Sequence, residues 1–323
     1  MKKYVLKRIA IAVVTILVLV TIIFLLVRLL PGDPFTSEKT NEAIKAKMMA
    51  YYGMDKPLIE QWFTYIKNLL HGDLGVSLKY PGRTVNDTIA QTFPYSASLG
   101  IRSIVLALAV GLVLGTFAAQ NAGKVMDYVC VLIAIVGVSM PDFIIGTLLQ
   151  LIFAVKLRVL PAGQWTSWDC KILPVVALSL YTLSLITRLM RSSMMEVINQ
   201  DYIMTARAKG LSKFEIIWRH EIRNAILPIV TTMGPLTAAV LTGTFVLEKI
   251  YAVPGMGKFY VQSINDLDYT MVLGMTTFYG IFLVTANLIV DILYGVIDPR
   301  IKLADGGGGK KRKAKPAAAG KEA

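Results

Sequence analysis

The chain has 323 residues, 55% of them hydrophobic and 17% charged, with a net charge of +13 and a mean hydropathy of +0.58. Soluble domains carry about 25% charged residues, so a soluble fold is excluded and the chain reads as an integral membrane protein. The cysteines Cys130 and Cys170 and the histidines His71 and His220 fall too far apart in the predicted topology to make a disulfide framework or a metal site.

A helix needs about 20 mostly apolar residues to cross a bilayer. Six such spans are predicted, at 9–30, 97–119, 129–154, 173–190, 226–247 and 274–297, giving an all-α fold. Lys2, Lys3, Lys7 and Arg8 precede the first span and place the N-terminus in the cytoplasm. That span is too long for a signal-peptide core, and Leu29-Leu30-Pro31-Gly32-Asp33-Pro34 offers no small-residue cleavage site, so it is expected to be retained. Six crossings then return the C-terminus to the cytoplasm.

The segment 31–95 is expected outside, with seven basic and seven acidic residues. Pro57 suits a first helical turn. Leu58, Trp62, Tyr65, Ile66 and Leu69 predict a short amphipathic helix over 58–70, with turns at Gly72 and Gly75. The third span contains Met140-Pro141-Asp142, where a kink or break is expected. Asp142 is the charge nearest mid-membrane. It either lines a translocation path or caps backbone N–H groups freed after Pro141. Arg28, Arg102, Arg188 and Glu248 fall near span ends, where they can snorkel, and Asp291 reads as a buried structural partner.

Between the fourth and fifth spans lies a basic loop, 191–225, far longer than the usual helix–helix connection of about 2–8 residues. Residues 194–209 predict a helix ended by Gly210 as a left-handed C′ residue. Ser212 and Glu215 form a capping-box pattern. Leu211, Phe214, Ile217, Trp218, Ile222 and Ile226 then follow at helical spacing. This geometry presents Tyr202–Lys209 as a knob toward a cytosolic partner.

Within that loop, the frame Met204, Thr205, Ala206, Gly210 resembles the Glu-Ala-Ala-x-x-x-Gly loop of ABC-transporter permeases, with the Glu missing. A longer run is more specific: Asp201-Tyr202, then Thr205-Ala206-Arg207-Ala208-Lys209-Gly210-Leu211, then Arg223-Asn224-Ala225 and Leu227-Pro228. It is similar to the dipeptide/oligopeptide permease branch, closest to its oligopeptide B subunit. Further blocks of that kind are Pro31–Pro34, Tyr52–Leu58, Gly72–Leu78, Val85-Asn86-Asp87 before Phe93-Pro94, Phe245–Glu248, Pro254–Gly257, Asp268-Tyr269, Asp291–Gly295 and Asp298–Ile301. The resemblance covers residues 1–303.

The resemblance implies the ABC type I importer permease fold and uptake of oligopeptides from an extracytoplasmic binding protein. The partners implied are a second homologous permease and two ABC ATPase subunits that bind ATP and Mg. Coupling to an ATPase subunit falls to Asp201, Tyr202, Thr205, Ala206, Arg207, Ala208, Lys209 and Gly210. If Asp142 lines the path and does not only cap the break, a peptide amine is the group it would meet. The segment 31–95 is then a cap on the outer helix ends, a docking surface for the binding protein, or both. The same machinery for dipeptides, nickel-chelates or glutathione is the nearest alternative. The implied location is a bacterial or archaeal plasma membrane.

No covalent catalysis is predicted. Gly306–Gly309 before Lys310 lacks the Walker spacing of Gly, four residues and Gly-Lys-Ser/Thr, and no Gly-x-Ser-x-Gly or His-Glu-x-x-His sequence occurs. An ion-coupled secondary transporter would be expected to show internal repeats and several intramembrane ionisable groups, neither of which stands out. Residues 304–323 read as a disordered basic tail attracted to anionic headgroups and carry +5 of the net charge from residue 306 onward. Nucleic-acid binding is not expected of a tail held at a bilayer.

Overall fold

The computed structural model describes residues 2–29, 53–80, 82–242 and 245–297. The sequence blocks at Pro31–Pro34 and Asp298–Ile301, Tyr52 of the Tyr52–Leu58 block, and the 304–323 tail lie outside these residues. The described chain is helical: α1 (Lys2–Leu29), α2 (Leu58–Leu70), α3 (Val85–Gln120), α4 (Val125–Ser139), α5 (Asp142–Lys156), α6 (Ile172–Ile198), α7 (Asp201–Ala208), α8 (Lys213–Ala225), α9 (Leu227–Thr242), α10 (Phe245–Ile250), α11 (Met256–Asn265) and α12 (Tyr269–Ile297). Four helices are long and apolar enough to cross a membrane, and up to six if the bent pairs α4–α5 and α8–α9 each count as one span.

We call the end carrying residues 199–226 lower and the opposite end upper. The central pair is α3 and α6. Ser103 Oγ donates to the Val175 carbonyl at 3.2 Å near the top, and Gly115 lies against Thr187 and Met190 further down, so the two helices run parallel. A Cβ at Gly115 would sit 2.5 Å from the Met190 Cβ and 2.7 Å from the Thr187 carbonyl oxygen. Without a hydrophobic drive between helices in lipid, such close approach is what holds them together. α4 runs antiparallel to α6, with Asp127 beside Arg191 below and Gly137 against Leu180 and Ser184 above. On the flank α1 pairs with α12. Phe24 and Val27 pack with Tyr269, Val272 and Leu273 at the top, and Arg8 reaches Asp291 at 2.8 Å below.

The third span breaks at Pro141, where the sequence leads one to expect it. Pro141 has no N–H to give and disfavours helical backbone at Met140. Met140 is extended at φ −112°, ψ 131°, and α5 leaves α4 at a bend of 108°. The second, fourth and sixth helices start or end well beyond the apolar windows, because α3 begins at Val85, α6 runs on to Ile198 and α12 begins at Tyr269. The fifth expected span, 226–247, contains α9 and then the start of a separate short helix, α10. Asp291 is a partner of Arg8 but is not buried, its side chain being 38% exposed.

Above the bundle, α2 occupies the predicted 58–70 window, with Pro57 as its N-cap residue. Trp62 Nε1 donates to Thr21 Oγ1 at 3.1 Å and Tyr65 Oη to Thr277 Oγ1 at 2.9 Å, so α2 lies across α1 and α12. The loop below it is tied down by Asp268, which is buried and accepts from Ser77 Oγ and from the backbone N–H groups of Leu78 and Met271 at 3.1 and 3.2 Å.

Candidate functional site

The lower end is built by the 191–228 segment. The predicted 194–209 helix is two helices. α6 stops at Ile198, Gln200 turns extended (ψ 147°), and α7 begins at Asp201 at a new angle. α7 turns Ile203 and Ala206 inward onto Ile216 of α8, with Val197 and Leu211 at the edge. The opposite face is open, and Asp201, Tyr202, Met204, Thr205, Arg207, Ala208, Lys209 and Gly210 are exposed. Ala206 therefore does not belong to the presented surface. It is 4% exposed and anchors the knob from behind.

The elbow after α7 satisfies its own backbone. Gly210 takes φ +78°, a conformation in which a Cβ is strained, and no atom lies within 4 Å of where one would go. Leu211 N–H donates to the Ala206 carbonyl at 3.4 Å and Gly210 N–H to that of Arg207 at 3.0 Å, the paired bonds of a Schellman stop. Ser212 then opens α8: its Oγ accepts from Glu215 N–H at 3.3 Å, and its own N–H donates to Glu215 Oε2 at 3.2 Å. The Ser212 hydroxyl, followed by its N–H, holds the Glu215 carboxyl below its ordinary pKa.

Beyond this cap the predicted stripe shifts phase. Residues Ile216–Ile222 wind as a π-helix, which adds a residue to the turn. Ile216, where this turn starts, is buried, while Phe214 and Trp218 are 75% and 65% exposed. The same shift carries Glu221 inward to 2% exposure, where Gln120 Nε2, at the end of α3, donates to it at 2.5 Å. Burial pushes the Glu221 carboxyl up, opposed by the Gln120 bond and by Arg207 and Lys213. These residues, with Leu211 and Ile216, line a pocket of about 270 Å³. Sequence reasoning passed over Gln120 and Glu221. The available signal was one acidic residue inside an apolar-periodic run.

A second missed pair ties the same end together. Arg191 of α6 donates through Nε and Nη2 to the two carboxylate oxygens of Asp127 at 2.6 and 2.8 Å, and Gly123 N–H adds a bond at 2.9 Å. The Arg191 bond keeps the Asp127 carboxyl below the usual range.

Asp142 stands at the top of the α4–α5 bend. Its Oδ1 accepts from the Phe143 N–H at 2.8 Å. It lines a cleft of about 400 Å³ with Ser139, Leu178, Tyr181, Thr182 and Leu236. Asp142 thus accepts one backbone N–H freed at the break and borders this cleft. One residue placed at a span end behaves differently from expectation. Glu248 does not snorkel: it is fully buried and accepts from Gly257 N–H at 2.7 Å. Arg102 lies over the rings of Trp165 and Trp168, 5.7 and 5.8 Å from their centroids.

Residues 111–303 match the family described as binding-protein-dependent transport system inner membrane component, and residues 1–100 match its N-terminal membrane region. The dipeptide transport system permease protein DppB of Bacillus subtilis is 47% identical over 304 residues, 94% of this chain and 99% of that protein. The oligopeptide transport system permease protein OppB of Haemophilus influenzae is 42% identical over 305 residues, 94% of this chain and all of that protein. Among solved structures, an inward-facing MetNI methionine ABC transporter chain aligns with a TM-score of 0.51 at 15% identity, over 65% of this chain and 96% of that one. At that identity the likeness speaks for the fold alone.

Proposed function

The chain belongs to the binding-protein-dependent transport system inner membrane component family, and from that premise we propose that it is the permease of an ATP-driven importer carrying oligopeptides delivered by an extracytoplasmic binding protein. It is a multi-pass subunit of a bacterial peptide ABC importer and is not catalytic. ATP and Mg are bound by partner ATPase subunits. The complex we infer has a second homologous permease and two such ATPases, with both termini of this chain in the cytoplasm. Lys7 and Arg8 at the lower end, together with the basic 191–225 segment, support that orientation.

The observation that carries this reading is the knob at α7. It is a short helix with one face pinned to Ile216 and the other, bearing Asp201, Tyr202, Thr205, Arg207, Ala208 and Lys209, open to a partner. Gly210 sets its angle. Its back is linked to the bundle through Glu221 and Gln120 at the end of α3, so a displacement of α7 is delivered to the central helix pair. Asp142, in its cleft between α4, α6 and α9, is assigned to the translocation path.

Two experiments test this. A cysteine at Thr205 should cross-link to an ATPase subunit in the assembled complex, and absence of any such cross-link in an active complex would remove α7 from the interface. Deleting the gene should abolish uptake of labelled tri- to pentapeptides. A strain that has no second peptide importer and still imports them would sink the peptide reading. A dipeptide substrate is the second reading, favoured by the higher identity to the dipeptide permease, and uptake of dipeptides in preference to pentapeptides would select it.

A further inference from the structure

The path residue Asp142 does not stand alone. A second cleft, of about 690 Å³, lies below it, lined by Leu185, Arg188, Ser192, Thr231, Pro235 and Leu236 among others. Leu236 lines both clefts, so they are two stations on one seam between α6 and α9. The upper station carries a carboxylate and the lower one a guanidinium. Arg188 is exposed and makes no hydrogen bond or ion pair among the described residues, and Asp142 has only the backbone N–H of its neighbour. The hydroxyl of Thr182, at the upper station, is buried and has no hydrogen-bond partner among the described residues. Charges held in a membrane protein without an internal partner are costly and are kept where a ligand or water meets them.

The spacing is informative. Thr182 and Arg188 are six residues apart on α6, about 9 Å along the axis at 1.5 Å per residue. An extended chain covers about 3.3–3.6 Å per residue, so three residues span about 10 Å. Resting on the reading of this chain as a peptide permease, we infer that the α6–α9 seam is a two-ended subsite for short zwitterionic peptides, with Asp142 receiving the free α-ammonium group and Arg188 the free α-carboxylate. The C-terminus of the peptide then points toward the lower end. The bend at Met140–Pro141 sharpens the upper station, because it ends α4 beside the cleft and leaves the negative end of that helix facing the ammonium group.

The test uses the assembled importer with all its subunits, in two measurements. In proteoliposomes, uptake of tri-alanine by the wild-type complex checks the underlying reading, and no uptake of any peptide would overturn that reading and this inference with it. On the same complex without its binding protein, saturation-transfer NMR reads weak binding of tri-alanine, N-acetyl-tri-alanine and tri-alanine amide. The wild type should favour tri-alanine over each blocked form by about tenfold. Asp142→Asn should abolish only the preference over the N-acetyl form, and Arg188→Gln only the preference over the amide. Asp142→Glu and Arg188→Lys should restore the respective preferences. A merely structural role would lower binding of all three probes together. That pattern, or unchanged preferences in both variants of a transporting complex, would overturn the subsite.

Discussion

Two buried carboxylates at the lower end respond to pH with opposite signs. Asp127 is held low by Arg191, so its contribution is present above the unfolded carboxylate pKa, about 4, and is lost as pH falls through its depressed folded value. Asp127→Asn should cost about 2 kcal/mol at pH 7. In thermal unfolding of the detergent-solubilised protein, the gap between variant and wild type should close below about pH 4. Glu221 is pushed up by burial. Its stabilisation is complete below the unfolded value of about 4.3 and is lost as pH rises through the folded one. Gln120→Leu removes the donor that offsets this, so its destabilisation, about 1–3 kcal/mol, should grow as pH is raised toward neutrality. A penalty that did not change with pH would mean Glu221 stays neutral throughout. Of these pairings the chain alone advertised none, beyond the oddity of an acidic Glu221 in an apolar-periodic run. A carboxylate and its partner 64 or 101 positions away leave no periodic trace, whereas Gly210, Ser212 and Glu215 were legible because capping is a local affair.

At the scale of elements, the central pair depends on a glycine and the knob on another. Gly115→Leu places a side chain where even the Cβ meets Met190 and the Thr187 carbonyl at 2.5 and 2.7 Å. Separation of α3 from α6 should cost about 1–3 kcal/mol, read as a lower unfolding midpoint of the purified protein. Gly210→Val faces no clash in space, since nothing lies within 4 Å. Its penalty is the left-handed backbone, about 1–2 kcal/mol for a non-glycine residue and more for a β-branched one. The expected result is a complex that hydrolyses ATP without matching uptake, or one that fails to assemble. Gly210→Asn, tolerant of the same conformation, should be close to wild type, and normal coupling in Gly210→Val would remove 202–210 from transmission. The helices themselves were visible as apolar windows. Their polar extensions, such as Val85–Ser96 of α3, were not, because hydropathy marks what sits in lipid and not where the hydrogen-bond ladder ends.

For the whole molecule, a line of contacts runs from the open face of α7 through Ile203, Ala206 and Ile216 to the π-turn, then by Glu221 and Gln120 into α3, and across Gly115 into α6. α6 borders the Asp142 and Arg188 clefts. Motion at the knob therefore has a packed route to these clefts. Gln120→Leu, beyond its effect on stability, should lower peptides transported per ATP hydrolysed in proteoliposomes at a pH where the complex remains assembled, while Gln120→Glu with Glu221→Gln, which keeps one donor and one acceptor, should recover much of the loss. An unchanged ratio in Gln120→Leu would place transmission elsewhere.

Composition and hydropathy by themselves determined the membrane class, the apolar windows and the basic loop. Local capping chemistry determined the elbow at Gly210–Glu215. These follow from interactions between residues a few positions apart or from bulk partition into lipid, which any window of sequence exposes. Tertiary structure decided the rest: that the third window turns through 108° at Pro141, that a π-turn brings Glu221 under Gln120, that Ala206 is an anchor while its neighbours face outward, and that Asp142 and Arg188 share one seam. Each of these depends on the rotational phase and depth of one helix against another. Phase accumulates along a helix, so one extra residue in a turn or one break re-aims every side chain beyond it, and only the packed bundle sets where each then points.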